Sequence, residues 1–233
     1  MARILTLGVT FLVLASPAFA VDVDLRTANA TGSIGIAKFQ QIQPQSTGTG
    51  VIDPFVRIQA NNNENGFNSD APLTGDLVDV KAGSWTHSLR VNELYPVVYD
   101  GVLSARFMLD VNQTGSKPEL SLDSLRVYTA AVPNLGSNAA LFANNLLYNM
   151  GAGNRVLLKA DLNSGSGSGD MFFYLPWSLF NGLGNQYLYL YSAFGFSGGN
   201  LESNDGFEEW AHVKGTVLPV EAKTWTGIKN LIR

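Results

Sequence analysis

Residues 186–194 read QYLYLYSAF, and this stretch decides the fold. On an extended chain Tyr187, Tyr189 and Tyr191 share one face, while Leu188, Leu190 and Phe194 share the other. Such period-2 alternation, rich in aromatic residues, is the pattern of a β-strand with one face on a core. Working outward, short runs of the same character recur at 51–60, 85–91, 95–99, 102–111, 120–129, 155–162, 170–175 and 207–213, separated by Gly, Asn, Asp and Pro. Asp100-Gly101 between two of them signals a hairpin, because glycine accepts the positive φ of a tight turn. Helical pattern is scarce: 176–180 (PWSLF) suits one turn with Pro at its first position, and 141–150 reads as a short helix or a strand. Many short strands with turns between them predict an all-β chain, a single antiparallel β-sandwich of jelly-roll type. The sandwich is expected over 51–216, with 21–50 as a loose arm or one edge strand and 217–233 as a short amphipathic tail.

The chain has 233 residues and a net charge of −4, with 45% apolar and 15% charged residues. Enough apolar side chains for a core exclude a disordered chain, and the acidic balance excludes a basic nucleic-acid binder. Residues 1–20 read as an export leader: Arg3, an apolar run over 4–15, Pro17, and the small-x-small site Ala18-Phe19-Ala20. The apolar run is too short to cross a bilayer, and the polar Val21-Asp22-Val23-Asp24 follows at once, so no transmembrane span is expected in the mature chain. No cysteine is present, so an exported domain must hold together by burial, and thiol chemistry and cysteine zinc sites are excluded.

Several segments resemble, in order, a group of secreted bacterial proteins of the PEP-CTERM, exosortase-associated type. They are Glu64-Asn65-Gly66-Phe67-Asn68-Ser69-Asp70, Trp85-Thr86-His87-Ser88-Leu89, Phe107-Met108-Leu109-Asp110-Val111-Asn112 with Leu122-Asp123, 166–175 (SGSGDMFFYL), and Ser203-Asn204-Asp205-Gly206-Phe207-Glu208-Glu209-Trp210. The resemblance implies a bacterial extracellular or cell-surface β-rich domain associated with exopolysaccharide systems, without catalysis. Val217-Leu218-Pro219-Val220-Glu221 echoes the Pro-Glu motif of that group, but no long apolar span with a terminal basic cluster follows it.

Chemistry-bearing patterns are few. Gly195-Phe196-Ser197-Gly198-Gly199 fits the G-x-S-x-G elbow, which needs a strand before it and a helix after it; 200–206 reads as loop, so a Gly-rich turn is expected. Two histidines, His87 and His212, limit imidazole metal sites. Asp110-Val111-Asn112-Gln113-Thr114-Gly115 begins like an EF-hand loop, but Ser121 stands where the closing Glu belongs and the flanks read as strands. One structural calcium ion held by some of the oxygens of Asp110, Asn112, Glu202, Asn204, Asp205 and Glu208 is the metal hypothesis. Tyr187, Tyr189 and Tyr191 are the sugar-stacking hypothesis, weighed against a second buried face. A glycoside hydrolase needs two carboxylates roughly 5–10 Å apart; Glu208 and Glu209 point to opposite faces of one strand, and nothing in the spacing joins Glu64 to Glu208. The reading is a secreted, non-enzymatic matrix or cell-surface protein with extracellular polysaccharide as partner. The alternatives are a calcium-stabilised carbohydrate-binding module and, behind it, a polysaccharide-degrading enzyme.

Overall fold

Phe39, Phe173 and Phe107 lie side by side on three neighbouring strands, and the core is built around them. The computed structural model describes residues 20–42, 52–75, 85–163 and 169–213. In chain order the strands are β1 (Asp22–Asp24), β2 (Thr31–Ile34), β3 (Ala37–Gln41), β4 (Ile52–Ile58), β5 (Glu64–Phe67), β6 (Leu89–Arg90) and β7 (Pro96–Tyr99). There follow β8 (Val102–Asp110), β9 (Glu119–Ala130), β10 (Asn145–Asn149), β11 (Arg155–Lys159), β12 (Met171–Pro176), β13 (Tyr187–Phe194) and β14 (Glu208–Val213). One short helix, α1 (Asn138–Phe142), precedes β10 and is capped by the Ser137 hydroxyl, which accepts from the Ala140 N–H.

Two sheets form. The first runs β1-β11-β9-β13-β5, with β10 beside β9 and β6 beside β13; the second runs β2-β3-β12-β8-β14-β4, with β7 beside β8. Every pairing is antiparallel except β1 with β11. The expected all-β sandwich is the observed architecture. Asp100 and Gly101 join β7 to β8 with φ of 49° and 74°, the two positive values that a two-residue primed turn demands.

The register explains the core. Phe173 pairs with Phe39 on one side and Phe107 on the other, and its ring centroid lies 5.4 and 5.7 Å from theirs. Trp210 closes the group edge-on at 6.2 Å from Phe173. Each such ring taken from water contributes about 1.5–3 kcal/mol. Strand β12 is apolar on both faces: Met171, Phe173 and Leu175 point between the sheets, while Phe172 and Tyr174 join an outer cluster with Ile42, Met108 and Ala211.

The N-terminal segment differs from the expected loose arm or single edge strand. It supplies three strands: β1 extends the first sheet, and β2 and β3 extend the second. These strands are short and carry few apolar residues, so their pattern is weak locally; partners from far along the chain complete them. Asp22 pairs in register with Arg155 and makes an ion pair with it at 2.8 Å. Residues 138–149 resolve the helix-or-strand ambiguity as both, α1 followed by β10, and 177–180 form one tight turn after Pro176 ends β12. Residues 1–19 of the expected leader and the whole of the tail expected over 217–233 lie outside the described residues.

Candidate functional site

The polar side chains named from the sequence gather at one end of the sandwich, where β8 ends and β5, β12 and β14 begin. Glu64 starts β5 and Glu208 starts β14, and both are fully buried. The two side chains hydrogen-bond to one another. Glu64 Oε2 accepts from the Ala60 N–H at 2.7 Å, and Glu208 Oε1 accepts from Gln113 Nε2 at 2.7 Å. Burial, then the hydrogen bond and charge of Glu64, push the Glu208 carboxyl well above the usual carboxylate range. Two carboxyl groups in contact in a dry site hold a proton between them.

A second acidic pair lies on the other face of β14 and β8. Glu209 and Asp110 pair in register, so Asp110 points outward while Glu208 points between the sheets. Asp170, at the head of β12, is buried against Asp110 and is pushed up to about 8, by burial first and then by the Asp110 charge. Its Oδ2 accepts from the Val111 N–H at 2.9 Å.

This alternation separates the six residues of the calcium hypothesis. Asp205 is exposed and accepts from the Gly206 N–H, and Glu202 accepts from Gly199. Asn204 ties the loop to its neighbours: its Oδ1 accepts from Thr114 N–H at 2.8 Å, and its amide donates to Lys117 C=O at 2.9 Å. Asn112 donates to Phe207 C=O at 3.0 Å. Among the described residues no three of His, Asp and Glu gather where an ion would sit. Asp110 and Glu208 thus lie on opposite faces of the second sheet, while Asn112 and Asn204 make hydrogen bonds within the neighbouring loops.

The tyrosine row is also not an open face. Tyr189 is fully buried, packed edge-on to Phe67 at 5.9 Å, and its hydroxyl donates to Val132 C=O. Tyr191 packs on Phe142 of α1, and Tyr187 lies 4.2 Å under the Arg90 guanidinium. The segment over 131–142 covers this side of β13, which makes the row a second apolar layer with Tyr128, Leu141 and Leu135.

Ser197 sits in a turn and not on an elbow. Its hydroxyl donates to Asp123 Oδ1 at 2.5 Å and accepts from Arg155 at 3.2 Å, and one tight turn, Gly199–Leu201, follows it. His212 is buried beside Phe55 at 6.2 Å between ring centroids, and the His87 ring faces the carbonyls of Ser88 and Pro54.

Sequence reasoning did not single out a groove on the outer face of the second sheet. Ile36, Lys38, Tyr99, Val102, Ser104 and Tyr174 line it, with Asp100 and Pro176 at its end. Its enclosed volume is about 50 Å³, too small to engulf a sugar ring, so a ligand would lie along it. Tyr99 reaches across from β7 and stacks flat on Tyr174, with centroids 3.9 Å apart and planes 9° apart. The chain matches no protein-family model, no curated protein and no solved structure.

Proposed function

We propose that the chain is a secreted, non-enzymatic extracellular or cell-surface protein that associates with a polysaccharide matrix. The observation that carries the non-enzymatic part is the position of Glu64 and Glu208. They converge, as a glycosidase pair would, but they touch one another at zero exposure. A hydrolase needs its carboxylates apart, with the glycosidic oxygen and a water or sugar carbon between them. A pair in contact and sealed from solvent serves the fold instead. The leader read from the sequence, the cysteine-free core and the resemblance to secreted bacterial proteins support the location.

Fractionating the source cells, with N-terminal sequencing of the recovered chain, tests this reading. The expected result is a chain beginning at Val21, recovered from the medium or released with the matrix polysaccharide. An uncleaved chain in the cytoplasmic fraction overturns it, as does hydrolysis of a polysaccharide that is lost in Glu208→Gln.

A further inference from the structure

We infer that the outer face of the second sheet binds acidic polysaccharide, with the half-exposed Tyr99 stacking a sugar ring, the buried Tyr174 backing it, and Lys38 and Arg106 holding its carboxylates; this rests on the proposed association with polysaccharide. The register sets the geometry. Tyr174 on β12 pairs with Lys38 on β3 and with Arg106 on β8, so all three point to the same face in one row across three strands. Two strand spacings put the cationic residues about 10 Å apart, one on each side of Tyr174.

Among the described residues the two cations face no carboxylate partner. Arg26, Arg155 and Lys159 all pair with carboxylates. Lys38 and Arg106 make no ion pair among the described residues, and Arg106 Nε is buried without a hydrogen-bond partner. The guanidinium is held in place over the Phe172 ring at 4.6 Å and beside the Tyr174 hydroxyl, which donates to Gln40 Oε1 at 2.9 Å. A guanidinium preset by its ring contact and its hydrogen bond to Tyr174 matches a carboxylate that approaches its solvent side.

The remaining groove chemistry fits the same ligand. A half-exposed tyrosine ring matches the apolar face of a pyranose. Lys38, Ser104 and Asp100 at the rim supply donors and acceptors for hydroxyls. At about 50 Å³ the pocket is too small to enclose a sugar, so a chain would lie across its mouth, over the ring of Tyr99.

The experiment is affinity electrophoresis of the mature chain through gels containing polygalacturonate, its fully methyl-esterified form, or dextran. Retardation by polygalacturonate, weakened by salt and weak with the ester, is expected. Lys38→Gln and Arg106→Gln should each lower affinity about fivefold, the scale of one exposed charge pair, and Tyr99→Ala should lower it further. Lys38 is exposed, so its variant reports on binding even if the others perturb folding. Unchanged retardation of Lys38→Gln and Tyr99→Ala overturns this site but leaves polysaccharide association standing. Equal retardation by the acid and its ester overturns the role of the cations. No retardation in any gel overturns the site and removes the ground beneath the proposed association.

Discussion

Glu64 and Glu208 belong to opposite sheets and hydrogen-bond to each other inside the sandwich, so one shared proton helps to tie β5 to β14. The Glu208 carboxyl is raised in the folded state, so the folded chain holds a proton that the unfolded chain releases near the ordinary carboxyl value. The stability from this pair is fullest at low pH and declines as pH rises above that value. Glu208→Gln keeps the shape and a donor without the charge. Its melting temperature at pH 8 should equal or exceed that of the parent. Glu208→Ala leaves Glu64 and Gln113 facing a void and should cost about 2–4 kcal/mol in urea unfolding. A Gln variant as unstable as the Ala variant would show that the pair is ionised and paired elsewhere.

Asp170 gives a defined window. Its carboxyl rises from 3.8 to about 8 through burial and the neighbouring Asp110. Between those values the folded state binds more protons than the unfolded one, so stability should fall as pH rises from about 4 to about 8. Asp170→Asn cannot titrate, and its carbonyl can still accept from the Val111 N–H. Unfolding midpoints measured across this range should slope less in the variant than in the parent. Parallel slopes would mean that Asp170 is ionised throughout.

Strands with long alternation were legible, and what they face was not. QYLYLYSAF fixes which side of β13 is which, but the cover over its tyrosines comes from 131–142, a segment with no strand pattern. The ENGF of β5 falls outside the alternating runs, yet all four residues are buried, with Glu64 bonded to Glu208 and the strand paired to β13. Pairing between Glu64 and Glu208 depends on two sheets packing face to face, which no local spacing encodes. The Lys38–Tyr174–Arg106 row likewise exists only once the register of three strands is set.

Gly195 shows why the G-x-S-x-G pattern is present without an elbow. It has φ of 80°, and a Cβ there would lie 2.0 Å from the Asn62 carbonyl oxygen and 3.0 Å from Ser203 N. That oxygen accepts from Ser203, so the bridge between 62 and 203 leaves no room. Gly195→Ala should therefore cost more than about 2 kcal/mol, through strain and displaced backbone. Ser197→Ala should cost about 1 kcal/mol for the lost bond to Asp123 and change no esterase activity. Thermal melts of both variants separate the two effects, and a harmless Gly195→Ala would contradict the close approach.

Trp210 and Ser192 make a further link between the sheets: the indole Nε1–H donates to the Ser192 hydroxyl at 3.0 Å, with both residues fully buried. Ser192→Ala strands a buried donor and should cost about 1–3 kcal/mol. Trp210→Phe removes the donor together with part of the ring, so it carries a cavity cost as well. Once the indole is gone the serine partner has lost its function, and the double variant should be less destabilised than the two single losses added together. Urea unfolding of the four chains gives this coupling directly. Strict additivity would mean that the hydrogen bond contributes nothing to holding the layers in register, and that the aromatic packing of Trp210 on Phe173 does so alone.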